Sequence, residues 1–183
     1  MKFIKLIFVL TIMMFTAQAY SQSNSPEILA KQYFEALQDE GLPATVEFMH
    51  PDALKRFKEM LVPVFEVESE SGQRQLLDMT FGASASITDV KNSEPKQFFS
   101  SFMNLVAAQM GDTKLSFGKL EVLGTIAEGE QRHVLTRITV GADDVAATSM
   151  EIVSFLPYED SWAMQLSGDI EGLANSMRSA YQQ

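Results

Sequence analysis

The stretch VLTRITVGADDVAATSMEIVSF, Val134 to Phe155, alternates apolar and polar side chains on both sides of a Gly-Ala-Asp-Asp sequence, and its pairing decides the fold. A period of two marks half-buried strands, and Gly with Asp marks the turn between them. Folding the stretch about Asp144 sets His133 opposite Phe155, Leu135 opposite Val153, Arg137 opposite Glu151 and Thr139 opposite Ser149. A second hairpin, turning through Glu159-Asp160, sets Phe155 against Met164 and brings Trp162 to the same face. An earlier turn near Glu128-Gly129 adds Leu120, Val122 and Gly124.

The strand candidates LSFGKLEVLGTI, QRHVLTRITV, TSMEIVSFLPY and SWAMQLS therefore make an antiparallel meander. On this register one face is an apolar floor of Leu135, Val153, Phe155, Trp162 and Met164, with His133, Arg137 and Glu151 as its polar groups. The other face, bearing Val134, Ile138, Met150 and Ile152, is also too apolar to stand in water. Both faces need cover, one from helices and the other from further helices or a second copy of the chain, so a homodimer is expected through that face.

Upstream, the periodicity is helical. In SPEILAKQYFEALQDEG, Ser25 is placed as N-cap, Pro26 as the first helical residue and Gly41 as the stop, with Leu29, Tyr33, Ala36 and Leu37 on one face. A brief helix follows around Ala44 to Met49, with His50 flanking the next helix start. HPDALKRFKEML opens at Pro51, buries Ala53, Phe57, Met60 and Leu61, and is expected to end or kink at Pro63. Ser93 is placed as the cap of EPKQFFSSFMNLVAAQMG, whose Phe98, Phe99, Phe102, Met103 and Val106 form the most apolar helix face. Asp169 is placed as the N-cap of a closing helix.

Residues 63–92 read less clearly. Glu66, Glu68 and Glu70 would line one side of an extended strand and attract a hard cation, although a solvated acidic loop is the commoner form. Gln73 to Met79 has the makings of a short helix. Helices, then a meander, then a closing helix make an α+β domain, with the helices at Leu29 to Leu37 and Phe98 to Met110 roofing the floor.

The amino terminus, MKFIKLIFVLTIMMFTAQA, has two lysines, a short apolar run and the small-x-small cleavage pattern Ala17-Gln18-Ala19. Residues 1–19 are read as a signal peptide, 20–25 as a flexible leader and 26–183 as one domain. The run is shorter than the roughly 20 residues of a spanning helix, so a soluble periplasmic or secreted product without membrane insertion is expected. The 14 basic side chains less Lys2 and Lys5 leave 12 against 24 acidic ones, a net charge of −12 that repels nucleic acid. With no cysteine and two histidines, neither a metal site nor a cofactor is expected, and no G-x-S-x-G, phosphate loop or H-E-x-x-H occurs.

The layout resembles the nuclear-transport-factor-2-like (NTF2-like) superfamily, a cone in which helices close a curved antiparallel sheet over a pocket. The resemblance is carried by LAKQYFEALQDEG, FMHPDALKRFKEML and the late hairpin ending DSWAMQL. It implies either a non-catalytic domain that binds a small apolar ligand or protein partner, or a cofactor-independent isomerase or cyclase acting through His133 or Glu151. The Asp base and Tyr donor of ketosteroid-isomerase-like members have no counterpart in the strands. The sequence reading predicts that protein purified from its own host starts at Tyr20 on amino-terminal sequencing, and a retained Met1 would contradict the export signal.

Overall fold

The computed structural model describes residues 25–111, 115–142 and 145–181. The proposed signal peptide, nearly all of the leader and the Asp143-Asp144 turn lie outside the described residues. The elements are α1 (Pro26–Glu40), a 3-10 helix (Leu42–Phe48), α2 (Pro51–Glu70), α3 (Gln75–Phe81), α4 (Ile87–Asn92) and α5 (Pro95–Met110). They continue with β1 (Leu115–Phe117), β2 (Glu121–Glu128), β3 (Gln131–Ala142), β4 (Val145–Tyr158), β5 (Ser161–Met164) and α6 (Gly168–Tyr181). The fold is α+β: amino-terminal helices, a curved antiparallel sheet and a carboxy-terminal helix. Among the described residues no helix is long and apolar enough to cross a membrane.

Local signals explain most of the ends. Ser25 accepts the Ile28 amide and Gly41, at φ 83°, terminates α1. His50 caps α2 by accepting the Asp52 amide at 3.1 Å, while its own amide donates to the Met164 carbonyl at 2.7 Å and ties the helix to β5. Two caps differ from expectation. Glu94 precedes α5, with Ser93 instead closing α4, and the Ser167 hydroxyl, one turn ahead of the Ile170 amide, caps α6 in place of Asp169.

The largest departure is residues 63–92, where the end of α2 and the short helices α3 and α4, joined by turns at 71–74 and 82–86, stand in place of a strand. Pro63 does not end α2, which continues to Glu70. A proline within a helix costs about 3 kcal/mol. The turn beyond it fully buries Val64 and Phe65, each worth about 1.5–3 kcal/mol, and so outweighs that cost. Phe65 meets Phe81 at 5.2 Å and Phe98 at 5.8 Å, edge to face. Phe57 likewise meets Phe99 at 5.0 Å and Phe102 at 5.3 Å. These rings weld α2 to α3 and α5.

Helical geometry also separates the three glutamates expected on one side of a strand. Glu66 pairs with Lys91 at 2.7 Å. Glu68 is 2% exposed, and its two oxygens accept the Leu76 and Leu77 amides at 2.6 and 2.8 Å. It thus caps α3 from another helix, because Arg74, at the N-cap position, makes no side-chain cap.

In the sheet, β4 lies between β3 and β5, and both β1 and β2 pair with β3. The single expected strand from Leu115 to Ile126 is therefore broken at residues 118–120. Gly118 donates to the Thr139 carbonyl at 2.7 Å, so close to β3 that a Cβ would lie 3.1 Å from that of Thr139. A bulge between Val122 and Gly124 then turns Val122 toward the core. The core itself runs from Phe57 and Phe102 to Val134, Val153 and Phe155 of the sheet and Ala174 of α6.

Replacing Glu68 with Ala would leave two inward-facing amides without acceptors. Hydrogen bonds to charged groups are worth about 1.5–3 kcal/mol, so a stability loss of about 2–3 kcal/mol is expected in urea unfolding. A loss within 0.5 kcal/mol would show that the cap is dispensable.

Candidate functional site

The site follows from the register of the central hairpin. Ala142 pairs with Val145, Thr139 with Thr148, Arg137 with Met150, Thr136 with Glu151 and His133 with Ser154. This is one residue away from folding about Asp144. Side chains alternate at every residue, so a one-residue slip exchanges the faces of β3 while leaving those of β4 and β5 unchanged. The last hairpin pairs Phe155 with Met164, as its spacing predicts.

The eight residues read as a pocket from the sequence consequently divide between two faces. Glu151, Val153, Phe155, Trp162 and Met164 share the inner face, whereas His133, Leu135 and Arg137 stand on the outer one. Arg137 does not meet Glu151 and instead pairs with Glu121 at 2.8 Å on the exposed surface. His133 is held at Nδ1 by the Ser154 hydroxyl at 2.8 Å and at Nε2 by Glu128 at 3.0 Å. Phe155 is fully buried in the core. Trp162 carries the Arg132 guanidinium 5.3 Å above its ring. Of the other face, Val134 and Ile138 prove to be inward, 0% and 3% exposed, while Met150 and Ile152 are outward at 66% and 63%.

What the inner face does form is a cleft under α1, with a volume of about 310 Å³. Tyr33, Phe34 and Leu37 of α1 roof it, and Phe117, Ile138 and Val140 line its floor. Glu151, Val153 and Met164 join them, with Asp169 at the start of α6. A second cleft of about 460 Å³ adjoins it, sharing Phe34, Phe117 and Ile138 and reaching Lys31, Lys119, Glu35 and Glu121. The other helix expected in the roof, α5, packs instead on α2, α3 and the 3-10 helix. Its phenylalanines are core and do not line either cleft.

Two polar groups in the cleft are conditioned by the fold. Ser149 donates to Glu151 Oε1 at 2.9 Å and orients that carboxylate. Burial pushes the Tyr33 hydroxyl above its ordinary range, so it stays a neutral donor. At the amino-terminal end of α1, Glu27 accepts from the Thr125 hydroxyl of β2, a bond that draws its carboxyl below the usual value. A depressed carboxylate pKa contributes stability above the unfolded value, and that contribution is lost as pH falls through the folded one. The roof is therefore held less firmly in acid.

Tyr33, Phe34, Phe117, Ile138 and Asp169 were not read as site residues. Tyr33 and Leu37 were legible as the apolar face of α1, but their position over the sheet depends on the tertiary fold. Folding about Asp144 would turn Ile138 outward, whereas the observed register buries it. No protein-family model, curated protein or solved structure matches the chain.

Because Arg137 and Glu151 project from opposite faces and share no partner, their substitutions are expected to be independent. In a cycle of Arg137→Met, Glu151→Gln and the double variant, thermal unfolding should give a coupling below about 0.5 kcal/mol. Coupling of several kcal/mol would restore the buried pair and the other register.

Proposed function

We propose that the chain is an exported, non-catalytic member of the NTF2-like superfamily that binds a small apolar ligand between α1 and the curved sheet. The cleft itself carries this reading. Small-molecule sites are concave, mostly apolar and furnished with a few convergent polar groups, typically about 300–1,000 Å³ in volume. The cleft of about 310 Å³ falls at the small end of that range, with aromatic and aliphatic walls from Phe34, Leu37, Phe117, Ile138 and Val140 facing a roughly equal share of polar groups that include Glu151 and Asp169. Export rests on the amino-terminal sequence, and the superfamily on the order of helices, meander and closing helix. The outer face, with Ile126, Met150 and Ile152 exposed, is in the same reading the surface for a second copy or a protein partner.

One observation supports a second reading, a cofactor-independent isomerase or cyclase. Glu151 and Tyr33 line one cleft, a carboxylate and a phenol of the kinds that proton transfer next to a carbonyl pairs as base and hydrogen-bond donor. His133 is on the far side of the sheet and has no part in it. Deuterium entering 2-decanone beside its carbonyl in D2O, and failing to do so with Glu151→Gln, would favour this reading over simple binding.

The binding reading predicts that the neutral apolar dye N-phenyl-1-naphthylamine gains fluorescence with the protein and saturates at one equivalent. Val140→Trp and Leu37→Trp, which fill the cleft from floor and roof, should each weaken that binding about tenfold, a loss of about 1.4 kcal/mol. Absence of saturable binding, or unchanged affinity in both folded variants, would overturn it.

A further inference from the structure

The charges around the cleft are unevenly placed. Among the described residues its charged lining groups are Glu151 and Asp169, with no lysine or arginine. Lys31 and Lys119 line only the adjoining arm, alongside Glu35 and Glu121. An anionic headgroup would meet carboxylates there without a cation to receive it. Two carboxylates also fall short of the charged ligand set that a hard cation such as calcium collects, and among the described residues no group of three or more His, Asp or Glu side chains stands together to hold one. A single organic ammonium fits better, because its three N–H donors can be shared between those carboxylates and a neighbouring hydroxyl or water, and it tolerates aromatic neighbours.

The walls supply those neighbours. Tyr33, Phe34 and Phe117 line the same space, and aromatic faces within about 6 Å of a cation attract it further once water is excluded. Glu151 is turned and steadied by Ser149. The net charge of −10 over the whole sequence adds a long-range attraction for cations that salt weakens.

From these features we propose that the ligand is a cationic amphiphile, an apolar body of about ten carbons bearing a protonated amine that sits between Glu151 and Asp169. The inference deepens the binding reading above and rests on it. It assigns Glu151 and Asp169 as the residues that select the headgroup, and Phe34, Phe117 and Ile138 as those that hold the chain.

Displacement of N-phenyl-1-naphthylamine by decylammonium, 1-decanol and decanoate tests it. The alcohol measures the apolar cleft alone and is expected to displace the dye. Decylammonium should do so at a concentration about tenfold lower, and decanoate should be weaker than the alcohol. Glu151→Gln should shrink the tenfold preference for the amine over the alcohol, measured as the ratio of the two within the variant. Should that variant not fold, 0.5 M salt must erase most of the amine preference in the unaltered protein. An amine no better than the alcohol overturns the headgroup assignment while leaving the cleft standing. Failure of the dye, or of all three ligands, overturns both.

Discussion

Pairing Ala142 with Val145 decides which half of β3 is inside the molecule, and the cleft, the core and the outer face all follow from that pairing. It turns Val134, Thr136 and Ile138 inward and leaves His133, Leu135 and Arg137 outside. Thr136 is fully buried, and its hydroxyl donates to the Glu151 carbonyl, so the inward polar atom is satisfied. The alternative pairing would expose Val134 and Ile138, each worth about 1.5–3 kcal/mol when buried. It would also take the Arg137 charge out of water, at a cost of several kcal/mol. Both terms favour the observed register.

The helical half obeys a different constraint. Phe57, Phe65, Phe98, Phe99 and Phe102 form an aromatic interior that joins α2 to α5. Glu68 fastens α3 to that interior through two amides. By contrast, α1 buries only Pro26 and Ala30 fully and reaches β2 through the exposed Glu27–Thr125 contact. A roof held this lightly leaves room between helix and sheet. The same economy that makes α1 the least embedded of the long amino-terminal helices makes the cleft beneath it available to a ligand.

The α+β layout, α1 with its caps and the Phe155–Met164 hairpin were legible because each rests on local periodicity or turn chemistry. Within residues 63–92 only the short helix expected from Gln73 to Met79 was legible, and it is α3. Pro63 and the alternating glutamates of VFEVESE signal a helix end and a strand, and both signals lose to tertiary burial of Val64, Phe65 and Glu68. The site was half legible, since β4 and β5 contribute Glu151, Val153 and Met164 as expected. Its β3 half was inverted because GADD accommodates a fold about Asp144 or between Asp143 and Asp144, and alternation fits either until the burial of both strands is weighed together.

A cysteine-free chain allows the register to be read directly with paired cysteines. Thr139 and Thr148 stand opposite each other with their hydroxyl oxygens 2.7 Å apart. Directly opposed residues have Cβ atoms about 4.5–5.5 Å apart, close enough for a disulfide after small adjustment, whereas a residue and its partner's neighbour point to opposite faces. Under mild oxidation, Thr139→Cys with Thr148→Cys should form an intramolecular disulfide, measured as a loss of two mass units in the monomer, and Thr139→Cys with Ser149→Cys should keep free thiols. A disulfide in the second pair and not in the first would return Arg137 and His133 to the inner face and contradict the cleft as described.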